Sequence, residues 1–357
     1  MHLQYRDVNH AFYQLVRGIH DGTIPTVARS SRAGDVLMVD EPVLVTYQYP
    51  EERVLFNTQR DANPFFHLFE ALWMLAGRND VQPLVYYNSR MSEFSDDGST
   101  FHGAYGHRWR QWFGYDQLKD IITHLKKDPD SRRVVLQMWD ATCGPPHAEN
   151  GRSDPYQATH GGRDVPCNTQ AYFALRHRSY TYLDMTVCNR SNDMIWGMLG
   201  ANYVHFSMLQ EYLAQAIGVQ VGLYHQFTNN LHTYVSRWDP DSWRNYFGPD
   251  GYQEAKVLGS QVPLVEDVER FDEECARFIG CIDGDFQEPF LRDVAQPMCA
   301  AFRAHKQRRY YGDNSATTLI SRVVAGDWRL AGTAWLLKRQ RAWESKSRTT
   351  ADEASAE

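Results

Sequence analysis

The stretch DVPCNTQ places Cys167 directly after a proline, at the start of a segment predicted to be a β-strand. A cysteine thiolate is a strong nucleophile, although an isolated cysteine in a long chain is more often a small buried residue. Arginines nearby would change that balance, because a guanidinium lowers the pKa of a thiol and also binds phosphate. Cys167 is therefore a candidate nucleophile, and its role depends on its neighbours.

Four arginines that could surround such a nucleophile lie at the boundaries of predicted elements. They are Arg32, Arg132, Arg133 and Arg190. Arg132 and Arg133 are adjacent at the start of a predicted strand, so their side chains point to opposite faces and one of them could turn inward. The alternative is that both are simply solvated. A cluster of these arginines would suit an anionic small molecule.

Two further stretches place polar side chains beside apolar elements. NRSNDMIWGMLGAN supplies amides and hydroxyls, among them Ser191, Asp193 and Asn202, just before an apolar helix. Such a set suits a planar ligand that forms hydrogen bonds, for example a pyrimidine, although helix capping by Ser191 or Asp193 explains part of it equally well. TNNLHTY places His232 and Tyr234 two residues apart, where both could contact a sugar hydroxyl.

A single carboxylate lies in a strongly apolar helical segment. NPFFHLFEALWMLAGR begins with Asn-Pro and closes near Gly77, and Glu70 is its one acidic residue. One interpretation is that Glu70 faces water from a narrow polar stripe. The other is that Glu70 lines a pocket, where desolvation would suit it to proton transfer.

The elements that must position these residues follow from the hydrophobic pattern. Apolar residues at helical spacing predict helices, and alternating apolar and polar residues predict strands. The region beyond about residue 240 is predicted to consist of several helical segments. Near residue 230 the sequence predicts a strand, a polar turn and then a helix. The main predicted helices are 8–19, 63–77, 201–218, 262–280, 288–308 and 327–342, and the main predicted strands lie within 36–50, 132–140 and 171–191.

Composition limits the class of protein. A chain of 357 residues that is 43% apolar can bury a substantial core, and its net charge of −7 argues against a surface built for DNA. No segment reaches the roughly 20 apolar residues of a membrane span, and the N-terminus lacks the pattern of a secretory leader, so we expect a cytoplasmic protein. The six cysteines form no C-x-x-C pair, and we expect free thiols and no metal site.

The order of the motifs resembles the thymidylate synthase family from about residue 10 to 240. SRAGD resembles the family's phosphate-loop arginine motif, HLFEALWMLAGRNDV its glutamate-bearing helix, and GAYGHRWRQW its Tyr-Gly segment. DPDSRR resembles the arginine pair that reaches across the dimer, VPCN the nucleophile motif, NRSND the phosphate and base segment, and NLHTY the ribose contacts. In character the chain is most similar to the bacteriophage dUMP/dCMP hydroxymethylase branch, whose members would act in the host cytoplasm.

The resemblance implies an α/β (α+β) fold, in which a large mixed or antiparallel β-sheet packs against helices. We expect a catalytic domain over residues 1–240 and a helical C-terminal extension over 241–344. The polar tail, residues 345–357, is expected to be disordered because it offers little apolar surface to bury.

The resemblance also implies a covalent mechanism. Cys167 would add to C6 of a pyrimidine nucleotide, so that C5 can attack the methylene carbon of 5,10-methylenetetrahydrofolate. Glu70, with ordered water, would assist the proton transfers at C5 and at the folate nitrogen. Asp193 and Tyr105 would support the folate and the base.

The phosphate would be shared between two subunits. Within one subunit its ligands would be Arg32, Arg190 and Ser191. Two more, Arg132 and Arg133, would come from the partner subunit, which makes an obligate homodimer the expectation.

The sugar and the base would be recognised by other residues. His232 and Tyr234 would bind the 3′-hydroxyl of deoxyribose, and Ser191 favours deoxyribose over ribose. A neutral amide can present both a donor and an acceptor to uracil, whereas family members that handle cytosine use an aspartate there. Asn202 takes this position if GMLGAN accommodates one extra residue, so dUMP is the expected substrate.

Departures from the family pattern bear on the product. Asn168 follows the nucleophile where the family has histidine, and Met91 and Phe94 stand where thymidylate synthases carry tryptophans that pack the folate. Hydride transfer from tetrahydrofolate needs a dry, closed site, whereas a wetter site favours water. We therefore expect 5-hydroxymethyl-dUMP as the product. Thymidylate synthesis and dCMP hydroxymethylation or methylation remain alternatives, as does a nucleotide- or RNA-binding protein without catalysis.

Overall fold

The computed structural model describes residues 1–142, 153–243, 250–308 and 313–354, with side chains as far as Glu344. Within these ranges the strands form two sheets. In chain order the strands are β1 His2–Tyr5, β2 Thr26–Ser31, β3 Gly34–Val39, β4 Val43–Tyr47, β5 Val135–Gln137, β6 Asn168–His177, β7 Thr181–Asn189, β8 Asn192–Asp193, β9 Gln220–Thr228 and β10 Leu231–Tyr234.

The larger sheet of the described chain has the strand order β1-β4-β9-β7-β6-β5. β1 is parallel to β4 and β7 is parallel to β9, whereas the other neighbours are antiparallel. This mixed sheet confirms the predicted fold class. One face is apolar and covered, because alternating residues such as Phe173, Met185 and Tyr224 are buried in the core.

Helices form most of the remaining regular structure. Single turns of 3₁₀ helix cover Ser89–Phe94 and Val235–Arg237, and single turns of π-helix cover Met194–Met198 and Leu291–Ala295. In chain order the α-helices are α1 Val8–His20, α2 Pro64–Leu75, α3 Gln82–Tyr87, α4 Tyr105–Arg110, α5 Gln117–Lys127, α6 Asp154–Thr159, α7 Ala201–Ile217, α8 Pro240–Trp243, α9 Gly251–Glu254, α10 Val268–Gly280, α11 Gln296–Gln307, α12 Ser315–Ile320 and α13 Gly326–Ala354.

Two buried helices, α2 and α7, pack against each other. α2 begins where the Asn63 side chain accepts the first backbone N–H groups and Pro64 occupies the first turn. α7 ends at Gly218, whose φ of 90° is a conformation that glycine adopts easily. α7 is buried almost all round because it lies between α2 and strands β7 and β9. These two helices carry Glu70 and Asn202.

The smaller sheet of the described chain has the order β2-β3-β10-β8. The turn between β2 and β3 carries Arg32, β10 carries His232 and Tyr234, and β8 ends with Asp193. The helix predicted after residue 230 is wrong, because β10 forms there with β3 and β8 as hydrogen-bonding neighbours. The smaller sheet therefore collects four predicted site residues.

Helices of the predicted C-terminal extension pack directly on α2. α10, α11 and α13 all contact it. The ring of Phe65 on α2 lies 5.4 Å, between centroids, from both Phe302 on α11 and Trp335 on α13. One hydrophobic core therefore runs through residues on both sides of the boundary expected at residue 240.

The last helix extends further than composition predicts. α13 continues to Ala354, whereas a disordered tail was expected from residue 345. Extending an existing helix is easier than nucleating one, and the segment contains good helix formers such as Ala, Glu, Lys and Arg. Residues 355–357 lie outside the described part of the chain. Among the helices that are described, none combines the length and the apolarity that crossing a bilayer requires.

Candidate active site

Tyr105 holds the backbone around the candidate nucleophile. Its hydroxyl oxygen accepts hydrogen bonds from the N–H groups of Cys167, at 3.2 Å, and Asn168, at 3.3 Å. Tyr105 opens α4, which can lie directly on α2 because the next residue is Gly106. A Cβ at Gly106 would stand 2.0 Å from the carbonyl oxygen of Met74. These contacts connect the nucleophile to α2 through α4, and we call the region that these residues border the cleft. They leave the Tyr105 hydroxyl proton for donation to a ligand.

Arg190 places a positive charge beside the thiol. Its backbone N–H donates to the carbonyl oxygen of Cys167 at 2.9 Å. Its guanidinium donates to the carbonyl oxygens of Pro166, at 2.7 Å, and Val165, at 2.9 Å. The same side chain brings Nη2 to 3.7 Å from Sγ of Cys167. The pairing of β6 with β7 thus brings the predicted nucleophile and one predicted phosphate ligand together.

Burial dominates the pKa of the Cys167 thiol. It raises the pKa, Arg190 and Arg32 lower it by less, and Asp164 adds to the rise. The expectation of a depressed thiol pKa is therefore wrong for the net shift, although each arginine acts in the expected direction. Asp164 accepts the N–H of Gly103 at 2.7 Å, and burial raises the pKa of its carboxyl group to about 6.

Asn202 joins the polar side of the cleft through Asn192. The Nδ2 of Asn202 donates to Oδ1 of Asn192 at 3.1 Å, so the Asn202 carbonyl oxygen and second amide hydrogen can serve a ligand. The π-helical turn Met194–Met198 precedes α7. A π turn holds about one residue more than an α-helical turn, so this turn is compatible with the extra residue assumed in the prediction for Asn202.

Asp193 starts the same turn. Its Oδ1 accepts the backbone N–H of Trp196, and its Oδ2 is buried without a hydrogen-bond partner among the described residues. Burial raises the pKa of Asp193. His232 lies opposite Asp193 in the pairing of β10 with β8.

The smaller sheet brings Arg32 and Tyr234 to the nucleophile. The guanidinium of Arg32 lies 3.5 Å from the carbonyl oxygens of Gly162 and Arg163, in the loop before Cys167. Burial, Asp193 and Cys167 raise the pKa of Tyr234, and Arg32 lowers it. The ring of Tyr234 packs edge-on against His232, with 5.5 Å between the ring centroids.

Glu70 is buried in the wall of the cleft. Only 6% of the residue is exposed, so the interpretation that it faces water is wrong. Its Oε2 lies 2.9 Å from Nε2 of His205 on α7. The pair has the distance of an ion pair but lacks hydrogen-bond alignment, since neither atom makes a hydrogen bond within the described residues.

Four further residues around the cleft are absent from the sequence prediction: Arg60, His67, Trp196 and His205. Arg60 is buried, donates to the carbonyl oxygen of Ile195 at 3.2 and 2.9 Å, and lies 4.5 Å from the Trp196 ring centroid. Burial, Arg60 and His205 lower the pKa of His67 to about 3. Helical spacing could have indicated both histidines, because they lie three residues from Glu70 and Asn202 on their respective helices.

The structure does not link the remaining predicted residues to the cleft. Arg132 and Arg133 are exposed before β5, Phe94 is exposed, Met91 packs partly against the core, and Ser191 is partly buried. Their roles stay predictions. Within the described ranges, no group of three or more His, Cys, Asp or Glu side chains could hold a metal ion.

Comparison with known proteins identifies the family. The model of the thymidylate synthase family matches residues 10–243. The chain is 44% identical over 342 residues to a deoxyuridylate hydroxymethyltransferase of Pseudomonas phage M6, which covers 92% of this chain and 93% of the relative. A protein of the same name from Bacillus phage SP01 is 38% identical over 64% of this chain and 57% of its own length. Another, from Delftia phage PhiW-14, is 32% identical over 75% of this chain and 78% of its own length. The resemblance found in the motifs is confirmed. The chain belongs to the thymidylate synthase family.

Proposed function

We propose that this enzyme transfers the one-carbon unit of 5,10-methylenetetrahydrofolate to C5 of dUMP and releases 5-hydroxymethyl-dUMP and tetrahydrofolate. The observation that carries the proposal is the Cys167 thiol, 3.7 Å from Nη2 of Arg190, on a backbone held by the hydroxyl group of Tyr105. The names of the three phage relatives support this choice of substrate and product.

Cys167 starts the reaction as the nucleophile. Its Sγ bonds to C6 of uracil, and the electron pair of the C5=C6 bond becomes available at C5. Bound methylenetetrahydrofolate supplies the carbon that becomes attached to C5. Glu70 takes part in the proton transfers, and the Tyr105 hydroxyl donates a hydrogen bond towards the base. Cys167 leaves C6 at the end, when the C5=C6 bond re-forms.

Buried polar atoms favour water as the second nucleophile. Both side-chain amide atoms of Asn168 are buried without a hydrogen-bond partner among the described residues, and so are Oε2 of Glu70 and Oδ2 of Asp193. Buried polar groups of this kind usually take water as their partner. A site that holds water beside the reacting carbon supports hydroxymethylation, in which tetrahydrofolate is not oxidised.

The residues beside Asp193 fit a folate. The indole of Trp196 is 46% exposed and rests on the guanidinium of Arg60. It offers a flat surface on which an aromatic ring system can stack. The unpartnered Oδ2 of Asp193 can accept a hydrogen bond from an N–H of the ligand. We include Met91 and Phe94 in this subsite.

The nucleotide would lie between the two sheets. The Asn202 amide, joined to Asn192, presents a donor and an acceptor to the O4 and N3–H edge of uracil. The remaining contacts would be Arg32, Arg190 and Ser191 to the phosphate and His232 and Tyr234 to the 3′-hydroxyl.

We propose that the enzyme is a homodimer with a shared phosphate site. Val135, Tyr172 and Phe227 are exposed on the face of the larger sheet opposite the buried residues. Neighbouring strands bring Val135 opposite Tyr172, so these side chains form a patch that a second copy could cover. Arg132 and Arg133 precede β5 at the edge of this face and would reach the partner's nucleotide.

Mixing two inactive variants tests the shared site. Cys167→Ser lacks the nucleophile, and Arg132→Ala/Arg133→Ala lacks the arginines offered to the partner. Mixed dimers retain one complete site, so an equal mixture should regain about a quarter of the activity, as random pairing predicts. A mixture that stays inactive although subunit exchange is complete would show that each subunit supplies all of its own phosphate ligands.

The product assay tests the reaction itself. The enzyme is incubated with dUMP and methylenetetrahydrofolate, the nucleotide is identified by mass spectrometry, and dihydrofolate is followed by absorbance. We expect 5-hydroxymethyl-dUMP without dihydrofolate, and a loss of activity on the order of 10³-fold or more in Cys167→Ser. dTMP with dihydrofolate would identify a thymidylate synthase, and turnover of dCMP in place of dUMP would contradict the role given to Asn202.

A further inference from the structure

His205 and Glu70 form an isolated polar pair between α2 and α7. The two side chains are 2% and 8% exposed, and Nε2 of His205 lies 2.9 Å from Oε2 of Glu70. These two atoms and Nδ1 of His205 have no hydrogen-bond partner among the described residues. Burying a carboxylate and an imidazole costs free energy unless they interact with each other or with a ligand. The pair therefore calls for an explanation beyond packing.

The pair lies beside the groups already placed at the nucleophile. His205 follows Asn202 by three residues on α7, so both face the same side of that helix. The next residue, Phe206, packs against Tyr105 with ring centroids 6.0 Å apart. On α2, Glu70 lies one turn before Met74, whose carbonyl group contacts α4. Both helices that carry the pair therefore also contact α4, the helix of the tyrosine that holds Cys167.

Two other basic groups are close to the pair: Arg60, which is hydrogen-bonded elsewhere, and His67, which is uncharged. The guanidinium of Arg60 donates to the carbonyl oxygen of Ile195. Burial and the charge of Arg60 lower the pKa of His67 to about 3, so His67 carries no charge at neutral pH. His205 is then the basic residue that contacts Glu70, with Nε2 2.9 Å from Oε2 but not yet aligned for a hydrogen bond.

We propose that His205 is a positioning residue for the addition of water. A small side-chain rotation aligns its Nε2–H with Oε2 and orients the Glu70 carboxylate, so that Glu70 can accept a proton from the attacking water. Loss of the C5 proton and departure of tetrahydrofolate leave a double bond between C5 and the transferred carbon. The water oxygen bonds to that exocyclic carbon, and a proton of the water passes to Glu70. The electron pair of the exocyclic double bond moves towards O4 and then expels Cys167 from C6. This inference rests on the proposed function.

Two substitutions separate the donor at Nε2 from the bulk of the ring. His205→Gln places an amide nitrogen near the position of Nε2, whereas the shorter side chain of His205→Asn reaches only as far as Nδ1. Ser207→Ala is the matched control, because Ser207 is fully buried on the same helix and its hydroxyl bonds only to the helix backbone. Circular dichroism and thermal unfolding establish that each variant is folded.

We expect a specific loss in the asparagine variant. Its kcat for 5-hydroxymethyl-dUMP should fall on the order of 10- to 100-fold, because a misplaced catalytic group loses rate without loss of binding. KM values for dUMP and methylenetetrahydrofolate should stay within about threefold. The covalent complex with 5-fluoro-dUMP and methylenetetrahydrofolate should still form, since it precedes water addition. His205→Gln and Ser207→Ala should retain most of the activity.

The outcomes separate this inference from the proposed function. If the unmodified enzyme makes dTMP and dihydrofolate, the proposed function fails whatever the variants do. If it makes 5-hydroxymethyl-dUMP but His205→Asn turns over like the unmodified enzyme, or His205→Gln is as impaired as His205→Asn, the positioning role of His205 is wrong. Loss of the 5-fluoro-dUMP complex in His205→Asn alone would also overturn it, because the defect would then lie before water addition.

Discussion

Two opposing effects set the reactivity of Cys167. Burial disfavours the thiolate, and the guanidinium of Arg190 favours it. Because the thiolate is the form that attacks carbon, the charge of Arg190 should control the pH at which the enzyme becomes active. Arg190 therefore has two expected roles, one towards the sulfur and one towards the substrate phosphate.

Replacing Arg190 with glutamine should raise the pKa of Cys167 further, because the largest contribution that lowers it is lost. Less thiolate is then present at neutral pH, so alkylation of Cys167 by iodoacetamide should slow and its pH profile should move to higher pH. Mass spectrometry of the alkylated peptide measures the rate. Arg322→Gln, at an exposed position in the C-terminal region, is the control and should leave the profile unchanged. An identical profile in Arg190→Gln would contradict this account of the thiol.

At the scale of residues, the sequence indicated the nucleophile and its arginine but not every partner. Cys167 and Arg190 were found because each has a distinctive local motif. The contact of Glu70 with His205 joins α2 and α7, which are far apart in the chain, and neither helix contains a sequence motif that indicates this contact. The raised pKa of Cys167 also escaped prediction, because desolvation depends on packing that a sequence pattern does not contain.

Among the elements, the π-helical turn has the most direct consequence for substrate recognition. It brings Gly197 against the Asn192–Asn202 hydrogen bond, where a Cβ would stand 2.3 Å from Oδ1 of Asn192 and 2.9 Å from Nδ2 of Asn202. A residue larger than glycine must displace one of these amides.

Gly197→Ala should therefore raise the KM for dUMP about tenfold, which corresponds to about 1.4 kcal/mol. The strained packing should also lower the free energy of unfolding by about 1 to 3 kcal/mol. Steady-state kinetics and urea unfolding test the two effects. Gly280→Ala is the matched control, because a Cβ there meets open space and should change neither quantity. A normal KM in Gly197→Ala would show that the amide pair does not contact the base.

α13 holds the loop that carries Arg60. Arg339 on α13 pairs with both carboxylate oxygens of Asp61, at 2.5 and 2.8 Å, and Lys338 donates to the carbonyl oxygen of Thr58 at 2.9 Å. Arg60 lies between these attachment points and supports Trp196. The extension thus contacts the proposed folate subsite through this loop.

Arg339→Gln should raise the KM for methylenetetrahydrofolate several-fold, because the Arg60 loop loses its two-oxygen ion pair and keeps only the 3.3 Å contact of Asp61 with Lys338. The free energy of unfolding should fall by no more than about 1 kcal/mol, since both partners are partly exposed. Kinetics at saturating dUMP and thermal unfolding give the two values. Arg341→Gln, at an exposed position on the same helix, is the control. Equal folate KM values in the two variants would disprove a link between α13 and the folate subsite.

The predictability of the elements depended on how much of each is buried. α1, α2 and α7 were predicted because their apolar residues recur at helical spacing and reach the core. β2 was not predicted, because most of its residues are exposed and its conformation comes from pairing with β3. β10 was assigned to a helix although half of its residues are buried, because its strand partners β3 and β8 are distant in sequence.

At the scale of the whole molecule, buried carboxyl groups link stability to pH. Asp327, at the start of α13, accepts hydrogen bonds from Tyr252, at 3.1 Å, and from the N–H of Trp328, at 2.8 Å. Burial raises the pKa of Asp327 from 3.8 to about 6. The folded state therefore holds the proton more tightly than the unfolded state, and stability falls as pH rises from the unfolded pKa through the folded one.

Asp327→Asn should weaken this pH dependence. Between about pH 5 and about pH 7 the aspartate should lose roughly 1 kcal/mol of stability that the asparagine, which cannot ionise, keeps. Urea unfolding of both proteins at the two pH values measures the difference. Asp313→Asn is the control and should not flatten the dependence, because hydrogen bonding with Ser315 lowers the pKa of this partly exposed carboxyl group. Parallel pH profiles for the Asp327→Asn and unmodified proteins would show that Asp327 is ionised throughout.

The apolar surface of α2 is covered by helices from the C-terminal part of the chain. Phe65 has no exposed surface, and two of its neighbours, Phe302 and Trp335, come from helices beyond the segment that matches the family model. Exposing a phenylalanine of this kind costs about 1.5 to 3 kcal/mol. A version of the protein that ends at residue 243 would therefore expose an apolar surface that favours aggregation. Anyone who wishes to miniaturise this enzyme must redesign the outward side of α2 at the same time.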